Sequence, residues 1–448
     1  MSDLLSIGAS GVKAYQTALT TVSENIANAA TPGYAKRTAD LREIGPSIGI
    51  TTGSKTSVGQ GVIAAGITRS ADSLRAADVR NASADLARTD TSVEWLGRIQ
   101  NALTGNQVGD QLTGFFNSAK SVAADPTASA PRAALLEQAK TVAGSFTATG
   151  KALDSLDADL DATATQAATT LTSLSASLAQ INDGLARVQP GSNGAAQLAD
   201  QRDSILDQIS AISDLSVSID SAGRATVKLG NAGGPTIVSG NQSASVAFAR
   251  GSDGTVAFTV QSASGVTAAT PSGGALAGIV EAAGRIADAR TQLNGIATAF
   301  TSGVNAVQAQ GSDLSGNTGA ALFATGASPT DITVALTDPN GIAAAAKGAS
   351  VRDNSNLANL ATLRTTGAFE TRTTALISGN AATLASRQQV ATAQGSIRDT
   401  AVAARDAVSG VNLDSEAVDL LRFQQAYSAS SRVIQVARDT LQSILDIR

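Results

Sequence analysis

The chain has 448 residues, of which 43% are hydrophobic, 15% charged and 3% aromatic, so it is long enough for about three domains and apolar enough to fold. It contains no histidine and no cysteine, which removes the usual zinc, haem and iron-sulfur ligands, thiol nucleophiles, the histidine general base and every disulfide. The net charge of -5, with basic residues scattered singly, argues against a nucleic-acid groove or an anionic-membrane surface. A thiol-free chain of this length suits a protein that ends up outside the reducing cytosol. No basic stretch leads into an apolar run at residues 1–10, and no apolar run reaches about 18 residues, so neither a cleaved leader nor a membrane span is expected.

In chain order, residues 3–29 lack proline, and Leu5, Val12, Leu19 and Ile26 recur every seven residues, with Gly8, Tyr15 and Val22 three positions after the first three. This spacing predicts an a/d seam on one helix. Thr31, Pro32, Gly33 and Tyr34 end it, because proline cannot continue a helix and glycine permits a turn. Residues 35–70 are rich in Gly, Thr and Ser, with 58–63 read as extended or hairpin-like. Helical patterns follow over 71–103, 108–124 and 131–182. Alternating apolar residues between turn signals over 214–269 predict a small antiparallel β domain. Residues 276–310 and 357–408 read as helical and 311–355 as mixed. Near the end, Leu413, Leu420, Tyr427, Ile434 and Leu441 again recur every seven residues, with Phe423, Ala437 and Ile444 at d positions and Ser430 as a polar interruption.

Two heptad helices at opposite ends of a chain most simply pair with each other. The expected fold is therefore mainly α with a β insertion. The N- and C-terminal helices (1–34 plus 409–448) pair as a coiled coil, a helical-bundle body (35–213 plus 270–408) follows, and 214–269 form a small antiparallel β outer domain. Leu5, Val12, Leu19, Ile26, Leu420, Phe423, Tyr427, Ile434 and Leu441 are the candidates for subunit and axial packing.

Chemical motifs fail on inspection, and no catalytic, cofactor-binding or metal residues are assigned. Asp157, Asp159 and Asp161 alternate like a calcium loop, but Ala162 and Ala168 stand where an EF-hand needs glycine and a bidentate carboxylate, so the run reads as a solvated acidic helix face. Gly59, Gln60 and Gly61 lack the preceding apolar strand of a dinucleotide fingerprint and read as a turn. Ser10 and Lys13 form an isolated Ser-Lys pair with no companion motif. A secreted hydrolase using two carboxylates is a remote alternative, since no Asp/Glu pair sits in a cleft motif.

The ends carry a further signal. The run from Ser23 to Arg37, with Asn25, Asn28, Thr31, Pro32, Gly33 and Tyr34, resembles the N-terminal signature of bacterial flagellar axial proteins. Asn412 and Asp414, followed by Phe423, Gln424, Gln425 and Tyr427, resemble the family of type 1 flagellar hook-associated proteins, the first junction between hook and filament; rod, hook and flagellin-like subunits are the alternatives. The segment from Arg352 to Leu357 is also similar to that family. The resemblance implies a non-enzymatic axial subunit without cofactor, exported by the flagellar type III apparatus and self-assembling into a helical ring. Its implied partners are hook protein, a second junction protein and an export chaperone on the C-terminal segment, with no nucleic acid or membrane. Its implied location is the extracellular flagellum, with a cytoplasmic stage before export.

Overall fold

In the computed structural model of the chain, which describes residues 2–45, 61–251 and 254–446, the first and last helices lie side by side. Helix α1 (Ser2–Asn28) leads through the Thr31–Tyr34 turn into strand β1 (Arg37–Glu43), which pairs antiparallel with β2 (Val62–Arg69) against α1. Of the 58–63 segment, Val62 and Ile63 lie on β2, whereas 58–60 fall outside the described residues. Asp72 caps α2 (Ser73–Gly105) by accepting from the backbone N–H groups of Leu74 and Arg75, and α3 (Val108–Ala124) follows. Helix α4 (Ser129–Arg187) then runs unbroken for 59 residues, about 88 Å at 1.5 Å per residue. It returns through Gly191, whose φ of +75° favours glycine, to α5 (Asn193–Ile212).

Helix α4 is the spine on which the β segment rests. Strands β3 (Leu215–Ile219), β4 (Ala225–Leu229), β5 (Thr236–Ser239) and β6 (Gln242–Ser243) form one antiparallel sheet, and β7 (Ser245–Arg250), β8 (Val256–Ser262) and β9 (Gly265–Ala269) a second. Polar side chains of α4 take over backbone partners that the strand ladders leave open. Asn182 accepts from Ala225 N and donates to the carbonyls of Ala225 and Gly240, each at 2.8 Å, and Thr172 Oγ1 accepts from Val246 N at 2.9 Å. The acidic run on α4 is only in part the solvated face expected from sequence: Asp159 is 56% exposed, whereas its neighbours meet arginines. Arg250 of β7 pairs with Asp157 and Asp161 at 3.1 and 2.7 Å, and Arg290 pairs with Asp154 and Asp157 at 2.5 and 2.8 Å. The spacing that mimicked a calcium loop instead serves arginines arriving from other elements, which only tertiary contact could reveal.

Helix α6 (Gly274–Gln310) supplies much of the core and continues into β10 (Gly311–Ser312). The mixed region resolves into β11 (Phe323–Thr325), which pairs with β12 (Ile332–Val334), and β13 (Ala345–Ala346), which pairs with β10. Helices α7 (Ser355–Gly367), α8 (Phe369–Ser409) and α9 (Leu413–Leu445) complete the chain. Only nine phenylalanines occur, yet Phe115, Phe116, Phe146, Phe300, Phe323 and Phe369 converge from α3, α4, α6, β11 and α8 on one point. Phe300 lies at its centre, edge-on to Phe115 at 5.2 Å and to Phe369 at 5.6 Å, a geometry that suits the opposed charge of ring face and edge. The polar residues of the 352–357 segment fasten the loop before α7. Asn356 Nδ2 donates to the carbonyls of Val307 and Ala343 at 3.0 and 2.7 Å, Asp353 accepts from Ala346 N, and Asn354 donates to Ala123 O. The fold is thus mainly α, with paired terminal helices and small antiparallel sheets.

Candidate assembly site

The contact between α1 and α9 is antiparallel, because Gly8 meets Ser430 and Ile434, Tyr15 meets Phe423, and Asn25 meets Glu416. A Cβ on Gly8 would lie 2.7 Å from Ile434 Cγ1 and one on Gly11 2.6 Å from Ser430 Oγ, so hydrogen in place of a side chain sets the helix separation. The face of α1 toward α9 carries Gly8, Gly11, Tyr15, Ala18, Val22 and Asn25, a row at alternating spacings of three and four. The large a-position row lies beside it. Leu5 and Ile26 are 41% and 37% exposed and Val12 and Leu19 half-buried, while Ala14 and Thr21 are buried on the side of α1 toward β1 and β2. Two adjacent apolar rows fit the same heptad, and close approach of small residues decided which one α9 covers. On α9, Leu420, Phe423, Tyr427 and Ile434 are half-buried and Ala437 buried, whereas Leu441 is 45% exposed.

At the base of the pair, the motif residues build one buried hub. Thr31–Tyr34 forms a turn in which Tyr34 N donates to Thr31 O at 3.2 Å, with Pro32 second and Gly33, at φ +80°, third. Those are the residues that a type II turn requires there. The turn brings Tyr34 back so that its hydroxyl donates to Asn25 Oδ1 at 2.8 Å. The same Oδ1 accepts from Arg37 N at 3.0 Å, while Asn25 Nδ2 donates to Arg37 O at 2.8 Å and to Glu416 Oε2 at 2.9 Å. Asn25 is fully buried and Glu416 is 1% exposed; the charge of Glu416 is met by Lys36 Nζ at 2.8 Å. One amide therefore ties α1, the turn, β1 and α9 together, and all four of its hydrogen-bonding positions are used. Burial, partly opposed by Arg37 and reinforced by Glu24, Asp200 and Glu416, pushes the Tyr34 hydroxyl up to about 12.

The other motif residues act locally. Asn28 donates to Glu24 O and accepts from the Thr31 hydroxyl, which closes the last turn of α1. Asn412 caps α9 by accepting from the N–H groups of Asp414 and Ser415, and Asp414 places a negative charge in the first turn, where the helix dipole favours it. Gln424 and Gln425 are exposed on α9. Ser10 accepts from Val62 N at 3.2 Å and donates to Ile7 O, so its hydroxyl fastens β2 to α1.

Sequence reasoning missed α5, which seats the hub on the body. Asp200, Asp203 and Asp207 recur along α5; Arg37 and Arg69 reach Asp200, Arg69 also reaches Asp203, and Arg80 and Arg405 reach Asp207. Burial pushes the Asp207 carboxyl up despite these two arginines. The serine cap at Ser192 after Pro190 and Gly191, followed by Leu198, Ile205 and Ile209, is the signal that could have located this helix. A cleft of about 630 Å³ opens between the Thr31–Tyr34 turn and α5, with Glu24, Arg37, Gln197 and Asp200 among its walls. No group of His, Cys, Asp or Glu suited to a metal ion occurs among the described residues.

Comparison with known proteins places this architecture. Residues 96–323, just over half of the chain, match the family model described as the helical domain of the flagellar hook-associated protein FlgK. The chain belongs to the FlgK family. Its two ends match separate models: residues 5–34 that of flagella basal body rod proteins, and residues 406–447 that of the C-terminal region of the FlgEFG rod proteins. The hub joins those two end segments, and α5 lies within the FlgK helical domain. Curated relatives called flagellar hook-associated protein 1 include that of Salmonella typhimurium, 27% identical over 227 residues that cover 50% of this chain and 40% of the relative. Those of Escherichia coli and Bacillus subtilis are each 25% identical, covering 50% and 47% of this chain and 41% and 43% of the relatives. The alignment thus spans less than half the length of these FlgK-family members. A solved structure described as the flagellar hook junction protein FlgK from Burkholderia pseudomallei aligns at 26% identity over 56% of this chain and 47% of that chain, with a TM-score of 0.49.

Proposed function

We propose that this FlgK-family chain is a non-enzymatic axial subunit of the bacterial flagellum that connects hook to filament. The observation that carries the reading is surplus apolar surface on the terminal pair. Val418, Leu421, Val433 and Val436 are 66%, 59%, 39% and 64% exposed on the side of α9 away from α1, and Leu5 and Ile26 stand out on the flank of α1. A helix that is apolar on two faces has one face left for another molecule. Copies of the same chain are the occupants proposed here: the α9 stripe of one subunit packs on the Leu5, Val12, Leu19 and Ile26 row of the next and builds a ring around the axis. Leu420, Phe423, Tyr427 and Ile434 hold the pair together within each subunit. Hook protein and a second junction protein would contact the ends of this ring. An export chaperone would cover the α9 stripe in the cytoplasm before passage through the flagellar type III apparatus.

Burying each exposed Val or Leu contributes about 1.5–3 kcal/mol, so a contact of several such residues is worth as much as the stability of a small domain. The test is Leu421→Glu with Val436→Glu in a strain deleted for the gene. The expected result is a monomer with unchanged thermal midpoint that fails to restore filaments on complete hooks. Normal filaments from the deletion strain, or from the double variant, would overturn the reading.

A further inference from the structure

At the base of the hairpin two arginines face each other. Arg37 opens β1, Arg69 closes β2, and the two are direct register partners across the antiparallel ladder. Like charges in that position repel and work against pairing. The arrangement holds because one carboxylate of α5 accepts from both: Arg37 Nη2 donates to Asp200 Oδ2 at 2.8 Å and Arg69 Nε to Asp200 Oδ1 at 2.6 Å. The remaining contacts are unequal. Arg69 also reaches Asp203 at 2.7 Å, whereas Arg37 has Glu24 at 3.3 Å, the face of the Tyr34 ring at 4.8 Å, and a buried Nε with no hydrogen-bond partner among the described residues. The three side chains are only 8%, 14% and 13% exposed, so solvent screens neither the repulsion nor its relief.

We infer that Asp200 is a positioning residue that makes the hairpin, and through it the seat of the terminal helices, conditional on the docking of α5. The link is a continuous chain of contacts. Asp200 fixes Arg37, the backbone N–H and carbonyl of Arg37 are the two groups that Asn25 grips, and Asn25 reaches Glu416 on α9. A second tie runs alongside, since Ile67 N of β2 donates to Gly191 O in the loop before α5, at 2.6 Å. Until α5 is in place, Arg69 lacks both of its carboxylate partners and Arg37 keeps only the longer contact to Glu24 on α1. The terminal pair therefore takes its orientation from the docked body.

Amide hydrogen exchange on the full-length protein tests this. Asp200→Asn is expected to lower protection of the β1 and β2 amides by at least about tenfold, because removing one partner leaves buried charges unmatched. The α4 and α6 amides around Phe300 should keep theirs. Adding Arg69→Gln to Asp200→Asn removes the opposed charge and should return most of the lost protection, which a merely structural role for Asp200 would not give. Unchanged β1 protection in Asp200→Asn overturns the inference. So does an equal loss across the whole body, or a double variant no better protected than Asp200→Asn alone.

Discussion

Replacing Asn25 by aspartate changes one atom and reverses half the chemistry of the hub. The two acceptor contacts, from the Tyr34 hydroxyl and Arg37 N, survive, while the two donor contacts, to Arg37 O and Glu416 Oε2, are lost. Each buried group left without a partner costs about 1–3 kcal/mol. The new carboxylate would also face Glu416 across the present 2.9 Å contact, and two unit charges about 4 Å apart repel by about 4 kcal/mol at an effective dielectric of 20. Lys36, on the other oxygen of Glu416, offsets part of this, leaving a deficit of about 5 kcal/mol, comparable to the whole stability of a marginal domain. The sign of the pH dependence follows from the pair. Two facing carboxylates raise the folded pKa of one of them above its unfolded value, so the penalty is full above that raised pKa and is relieved as pH falls through it. Asn25→Ala removes the same donors, and both acceptor contacts, without adding charge, so its deficit should narrow less between pH 8 and pH 5 than that of Asn25→Asp. The assay is urea unfolding of both variants and the parent protein across that range, with amide exchange of α1 and α9 to place the loss. A deficit in Asn25→Asp that does not narrow on acidification, or one that Asn25→Ala shares at every pH, would refute the description of the hub.

Tyr34→Phe tests the same hub from the alkaline side. With the folded hydroxyl at about 12 against an ordinary 10, the stability it contributes is complete below pH 10 and is lost as pH rises through 12, because the unfolded chain ionises first. After allowance for partial exposure this amounts to about 1–2 kcal/mol, and the phenylalanine variant should lack that step in a pH series of thermal midpoints. Gly8→Leu places a side chain where Ile434 already lies, 2.7 Å from the new Cβ. Overpacking costs about 1–3 kcal/mol and exceeds the gain of about 1 kcal/mol in helix propensity. Faster amide exchange confined to α1 and α9 is the expected readout, and unchanged exchange there would show that the glycine is dispensable.

The roles in this molecule follow from small polar and small apolar residues more than from its few aromatics. Asn25, Asn182, Asn356 and Thr172 each supply backbone partners where elements of different kind meet. Buried amides suit this task because they donate and accept at once and carry no charge to desolvate.

Heptad spacing at both ends was enough to give two long terminal helices, and alternation over 214–269 gave the strands, because periodicity is a local property of the chain. The motif from Asn25 to Tyr34 also declared its turn, since Pro32 and Gly33 have few other uses in that order. Three matters were decided only by tertiary contact. Which of two adjacent apolar rows on α1 meets α9 depends on Gly8 and Gly11 admitting the partner helix, and sequence spacing is the same for both rows. The carboxylates at 157, 159 and 161 read alike in sequence, yet 157 and 161 receive Arg250 while 159 faces water, for the arginine is remote in sequence. The seat of the terminal pair rests on Asp200, whose partners Arg37 and Arg69 lie more than a hundred residues away, and long-range pairing of charges leaves no local pattern to read.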